Sequence, residues 1–140
     1  MHSSIAEFPN IHFYNSRLVN AVEDSTLDPV PGFNWPNPDC RVCFVDVGSE
    51  TESRHGFSTY NSGEANCIAE VLKGILNAGF PVEKLCILTP YQAQKHEIFK
   101  ALREAGLWSE VQHISIDTID GYQGMERDLV LFSATRSNAA

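Results

Sequence analysis

A chain of 140 residues is long enough for one domain with a real core, and 43% apolar with 20% charged residues is an ordinary globular balance. No apolar run reaches the roughly 18 residues of a membrane helix, and the first ten residues lack the basic-then-apolar order of a secretory signal, so a cytoplasmic or nuclear protein without a membrane partner is expected. The net charge of −8 argues against a free-standing nucleic-acid binder, because phosphate binding relies on Lys and Arg.

Taken in chain order, residues 1–22 read as a short helix and an aromatic-rich connection. Ser3 or Ser4 is the expected cap, Pro9 is expected to end the helix early, and Phe8, Phe13, Tyr14 and Leu18 are the expected packing residues. Residues 23–39 hold four prolines and form a loop ordered in part by Phe33 and Trp35. Arg41 to Val47, RVCFVDV, has the β-branched and aromatic content of a strand. Residues 48–60 are polar and read as a second, mobile loop, with His55 a surface residue. Cys40 and Cys43 have the spacing of a metal pair, but no second close pair follows and Cys67 and Cys86 lie in apolar patterns. Structural cysteines and no metal site are therefore expected.

Asn61 to Ala78 carries the strongest helical pattern. Asn61 and Glu64 have capping-box spacing, and Ile68, Val71, Leu72, Ile75 and Leu76 share one face. Gly79 and Pro81 end it. Lys84 to Leu88 is a strand. Thr89, Pro90 and Gln92 read as the cap, first residue and capping-box partner of a further helix, with Ile98, Phe99, Leu102 and Ala105 facing inward and Gly106 at its end.

The remaining stretch, Ile114 to Asn138, organises the rest. Ile114 to Ile116 alternates as a strand does, Asp117 to Asp128 is a polar loop with Gly121 and Gly124, and Leu129 to Phe132 suits a strand buried on both faces. Strand, loop and strand set that loop at the carboxyl edge of a parallel sheet, where open α/β sheets bind ligands. The loop is dense in carboxylates and amides: Asp117, Asp120, Gln123, Glu126 and Asp128. Asp120 reads either as the cap of a following turn or as a ligand group, and Glu126 to Asp128 either as a site or as a solvated charge run. The turn at Thr89 exposes N–H groups and a hydroxyl at the same edge, a geometry suited to a phosphate.

The pattern T-I-D-x-Y-Q-G-x-E-x-D from Thr118 to Asp128, with S-x-T-R-S-N from Ser133 to Asn138, resembles motif V of superfamily 1 helicases, in the branch of the nonsense-mediated-decay helicase and senataxin. Thr89, Pro90, Tyr91 and Gln94 resemble that family's T-P-Y-x-x-Q. Ser58, Asn61, Glu64 and Ala65 resemble its S-x-x-N-x-x-E-A. Met1 to Leu18 resembles its M-H-P-x-I segment with Ser3 in place of Pro. The resemblance implies an α/β fold, the second RecA-like, P-loop NTPase-type lobe of a helicase core in three α/β/α layers, as a single partial domain over 1–140. It implies that Thr89, Pro90, Tyr91, Gln94, Thr118 and Asp120 contact single-stranded RNA or DNA. It also implies that Gln123 sits where two lobes close on ATP, and that Gly124 and Glu126 belong to the ATP site, with the Glu126 carboxylate accepting from the ribose. ATP and Mg²⁺ are the implied cofactors and a first RecA-like lobe the implied partner.

The sequence contains no G-x-x-x-x-G-K-[ST] loop, no acidic strand end of the D-E type for Mg²⁺, and neither of the arginines that the resemblance brings to the phosphates. The chain is therefore expected to be inactive as an ATPase alone and to be part of a longer enzyme. The alternative is a non-catalytic lobe that docks nucleic acid or protein.

Overall fold

A computed structural model describes residues 1–48 and 53–136. It contains two compact units. The first comprises Met1–Val30 and Asn34–Asp46, the second Pro31–Phe33 and the chain from Val47 onward.

The first unit holds one α-helix, α1 (Ser3–Phe13), and a 3₁₀ turn at Asp24–Thr26. Its cap is His2, whose ring nitrogen accepts from the Ser4 N–H at 3.2 Å, and the Asp24 carboxylate accepts from the Ser3 N–H at 2.8 Å. A carboxylate at the positive end of a helix is favourable, and the Ser3 bonds hold the Asp24 carboxyl below its usual range. The helix continues through Pro9, against the expectation. Asn10 secures its far end: the Asn10 carbonyl accepts from Tyr14 and Ser16, and its side chain accepts from the Leu18 N–H at 2.8 Å. Local bonding thus outweighs the donor that proline removes. Phe8, Phe13, Tyr14 and Leu18 are all exposed, so the expected packing role is corrected. Trp35 does order its loop, donating to the Val30 carbonyl at 3.0 Å.

Arg41 to Val47 is not a strand. Its β-branched and aromatic content is a preference for a half-buried pleated surface rather than for a backbone shape. Here Val42, Phe44 and Val45 are exposed.

The second unit begins its regular structure with an antiparallel hairpin, β1 (Ser53–His55) and β2 (Ser58–Tyr60), in a stretch expected to be a loop. Gly56 takes φ +62° at the first position of its two-residue turn, as such hairpins require. Residues 49–52 of the expected mobile loop lie outside the described residues. Next come α2 (Ser62–Asn77), β3 (Leu85–Thr89), α3 (Gln92–Glu104), the single turn α4 (Trp108–Val111), β4 (Ser115–Thr118) and β5 (Leu129–Phe132).

The sheet is parallel, in the order β4-β3-β5. Its central strand β3 carries Leu85, Cys86 and Ile87 with no exposure at all. α2 and α3 pack Leu72, Ile98 and Leu102 into one core with Leu85, Ile87 and Ile116. Each such side chain is worth roughly 1.5–3 kcal/mol of burial, so Leu72→Ala alone would remove a large share of the stability. β5 departs from expectation: Leu129 and Leu131 are half-buried but Val130 and Phe132 are exposed. A four-residue apolar run does not distinguish a central strand from an edge strand, and among the described residues β5 is an edge.

At Gly32 the backbone comes directly against α2. Gly32 has φ +77°, and a β-carbon there would fall 2.2 Å from the Gly74 carbonyl oxygen. No helix among the described residues is long and apolar enough to cross a membrane.

Candidate functional site

Parallel pairing aligns the carboxyl ends of the strands. Thr89 pairs in register with Thr118, the Ile119 N–H donates to the Thr89 carbonyl at 3.2 Å, and the Ser133 N–H donates to the Leu88 carbonyl at 2.9 Å. Three sequence blocks therefore meet at one edge: Thr89–Gln94, the start of the loop at Thr118–Tyr122, and Ser133–Arg136. The loop then returns to the amino end of the sheet, where Arg127 donates to the Ser115 hydroxyl at 3.4 Å and Asp128 pairs with Lys84 at 3.1 Å.

Half of this edge is dry. Gln94 is completely buried. Its amide oxygen accepts from the Asn61 N–H at 2.6 Å, and its amide nitrogen donates to the Asn61 carbonyl at 3.1 Å and the Ser133 hydroxyl at 3.0 Å. The Thr89 and Thr135 hydroxyls, also buried, lie 3.2 Å apart. The Glu64 carboxylate accepts from the Ser133 hydroxyl at 2.6 Å and the Thr135 N–H at 2.9 Å. Thr135 itself takes φ +67°, a left-handed conformation that costs a β-branched residue about 1–3 kcal/mol. Each of these polar groups is satisfied, which is the condition under which a buried polar network rigidifies rather than destabilises.

The network alters two expectations about helix starts. Asn61 does cap α2, accepting from the Glu64 N–H at 3.0 Å, but Glu64 does not return the bond. α3 starts at Gln92 with Tyr91 in the cap position, not with Thr89 as cap. The Ser58 hydroxyl, from β2, accepts the Ala93 N–H at 3.1 Å and supplies the missing cap. A cap borrowed from a strand more than thirty residues away leaves no local spacing signal, which is why capping-box reading misassigned Thr89 and Gln92.

The other half of the edge is wet. Pro90, Asp120, Gln123 and Gly124 are exposed, and Tyr91 and Thr118 half-buried; Glu126, farther along the loop, is also exposed. A 3₁₀ turn spans Asp120–Tyr122, and Asp120 does not cap it: the Thr118 hydroxyl accepts from the Gly121 N–H at 3.4 Å instead. Gly121 is packed against the Asp117 carboxylate, where a β-carbon would sit 2.9 Å from an oxygen. Gly124 has φ +84°, the positive φ anticipated for it. An open hollow of about 490 Å³ is lined by Leu88, Ile119, Asp120, Tyr122, Gln123, Gly124 and Met125. Below the loop the Arg127 guanidinium stands 5.8 Å from the Tyr122 ring centroid and donates to the Glu126 carbonyl at 2.8 Å. The run Glu126–Asp128 is thus not uniformly solvated.

Lys95 completes the edge, and sequence reading missed it. Its ammonium lies 3.0 Å from Asp117. That partner, and then the Thr118 N–H, hold the Asp117 carboxyl below its usual range. The available signal was position: Lys95 is one helical turn beyond Tyr91, on the turn that faces β4. Among the described residues no group of three or more His, Cys, Asp or Glu is placed to hold a metal ion. The Gln123 amide, the Asp120 carboxylate and the left-handed Gly124 stand beside the hollow, groups chemically able to take a share of a nucleotide. Ser137 and Asn138 of the terminal motif lie outside the described residues.

A parallel α/β lobe whose carboxyl edge gathers a Thr-Pro-Tyr turn and a Gln-Gly-containing loop is a RecA-like lobe. The chain belongs to the AAA domain family, matching it over residues 1–140. It is 34% identical to regulator of nonsense transcripts 1 homolog of Drosophila melanogaster over 143 residues, 99% of this chain and 12% of that protein. It is 31% identical to helicase sen1 of Schizosaccharomyces pombe, covering 98% of this chain and 8% of that protein. It is 29% identical to ATP-dependent helicase upf1 of the same organism, covering 99% of this chain and 15% of that protein. The chain therefore spans a small part of these relatives, and it is a helicase-family domain of the superfamily 1 branch that its motifs resemble.

Proposed function

We propose that this chain is the second RecA-like lobe of an ATP-dependent superfamily 1 RNA or DNA helicase. One strand of nucleic acid crosses the carboxyl edge, touching Pro90, Tyr91, Thr118 and Asp120 and the backbone N–H groups around Thr89. ATP, with Mg²⁺ held outside this chain, lies in the cleft with a first lobe. From this side Gln123 meets the γ-phosphate region, Gly124 lets the backbone approach, and Glu126 accepts from the ribose hydroxyls. Bound ATP supplies the energy of the cycle; closing the cleft shifts the two nucleic-acid grips relative to one another. Gln94 and the Thr89 hydroxyl serve the strand indirectly in this reading, since both are buried and internally bonded.

The observation that carries the proposal is the in-register pairing of Thr89 with Thr118, which sets the two polar blocks side by side on one edge. The test is an amide-resonance titration of the 140-residue chain with oligouridylate, oligodeoxythymidylate and ATP at low salt. Nucleic acid is expected to move Tyr91 and Thr118–Gly121 and to lose affinity as salt rises; ATP is expected to move Gln123–Arg127. If no ligand perturbs either block at millimolar concentration, the proposal fails. A second reading, a lobe that docks onto a protein, is favoured by the net charge of −8; nucleic-acid binding insensitive to salt would favour it over the first.

A further inference from the structure

Glu64 occupies the third helical position of α2, where a capping-box carboxylate would bond back to the N–H of the cap residue. That N–H, on Asn61, is instead taken by the Gln94 amide oxygen at 2.6 Å. The Glu64 carboxylate is turned toward the end of β5. A single oxygen, Oε2, accepts both the Ser133 hydroxyl at 2.6 Å and the Thr135 N–H at 2.9 Å. Thr135 is buried with φ +67°. A β-branched side chain does not adopt that backbone unless its surroundings impose it. The groups imposing it here are the carboxylate on its N–H and the Thr89 hydroxyl on its own hydroxyl. Arg136, the next residue, is exposed at the carboxyl edge.

We propose that Glu64 is a positioning residue: its carboxylate locks the left-handed turn at Thr135 and so fixes the path of Ser133–Arg136 along the phosphate-binding edge, beside Thr89. The role of that edge rests on the function proposed above; the lock itself does not. Capping of α2 is supplied by the Asn61 side chain, so the Glu64 carboxylate is available for this second task. A ligand phosphate at the edge, from nucleic acid or from ATP, meets a segment whose direction is set before it binds.

The test uses three variants of the 140-residue chain: Glu64→Gln, Thr135→Gly and the two combined. The readouts are the Thr135 Cα resonance, which reports its left-handed backbone, its amide exchange, and affinity for oligouridylate and for ATP. Glu64→Gln is expected to shift the Ser133–Arg136 resonances and to speed Thr135 amide exchange by about tenfold, with the α3 and β4 amides unchanged. Affinity for the phosphate ligand that wild type binds is expected to fall by about fivefold. Adding Thr135→Gly to Glu64→Gln is expected to restore that affinity, because glycine takes the left-handed conformation without help. Unchanged Thr135 signals in Glu64→Gln overturn the proposal. So does a loss that glycine does not restore, which would make Glu64 a general stabiliser only. If Glu64→Gln does not fold, wild type decides: a Thr135 amide as slow to exchange as those of β3 supports the lock, and one as fast as those of the Asp120–Glu126 loop overturns it. If wild type binds neither ligand, the proposed function falls while the Thr135 signals still judge the lock.

Discussion

The two halves of the carboxyl edge differ in one physical respect. Around Gln94 and Thr135, which are buried, and Glu64, which is half-buried, the polar groups bond to one another within the chain. Around Asp120, Gln123 and Gly124 the polar groups face solvent beside a hollow. The first arrangement fixes positions and the second leaves donors and acceptors for something else to use. Residues of one motif fall on both sides of this divide: in Thr89-Pro90-Tyr91-x-x-Gln94 the outer two are buried and the middle two are at least partly accessible.

The sharpest way to break this comparison is Gln94→Leu. The substitution keeps volume but strands the Asn61 N–H and takes one donor from the Ser133 hydroxyl, and the expected loss is about 3 kcal/mol in urea unfolding. A loss under about 0.5 kcal/mol would mean that the dry half is not dry. Gly124→Ala tests the wet half through its backbone. Alanine at φ +84° is expected to cost about 1 kcal/mol, and ligand-induced shifts of Gln123–Arg127 should vanish with it. Thr89→Val removes the buried bond to the Thr135 hydroxyl and the longer one from the Tyr91 N–H, at an expected cost of about 1 kcal/mol, while the Pro90 and Tyr91 side chains should still respond to nucleic acid. Glu126→Ala is expected to leave stability within about 0.5 kcal/mol while weakening ATP; unchanged nucleotide affinity would count against its ribose role. The smallest effect concerns pH. The Asp117 carboxyl is depressed by Lys95 and by the Thr118 N–H, so its contribution is present above the unfolded carboxylate range and is lost as pH falls through the lower folded value. Lys95→Met should raise the Asp117 midpoint toward an ordinary carboxylate, read from its side-chain carbon resonance across the acid range.

The main elements of the second unit were legible because they are local. Asn61 with an apolar face ending at Gly79, and the strand-turn-helix at Thr89, are patterns of neighbouring residues. What escaped the sequence is relational. The Ser58 cap of α3, the Lys95–Asp117 pair and the Glu64–Thr135 bond each join residues from 22 to 71 positions apart. Glu64 was misassigned for an instructive reason: capping spacing accounts for it so well that no second role is needed until the Asn61 N–H is found bonded elsewhere. Arg41 to Val47 failed in the opposite direction, since its composition promised burial that the described structure does not provide. The roles of individual site residues came from family resemblance, because a polar loop reveals its ligand only by what it later holds.

The contact between Gly32 and Gly74 bears on how this chain tolerates insertions and deletions. The proline-rich stretch from 23 to 39 has little regular structure, and such surface stretches change length at small entropic cost. At Gly32 the freedom ends. There the main chain lies directly on the backbone of α2, with no room for a β-carbon. Length variants of this stretch should therefore accumulate on either side of that point while the glycine at the contact stays, a pattern that a library of random insertions selected for folded protein would reveal.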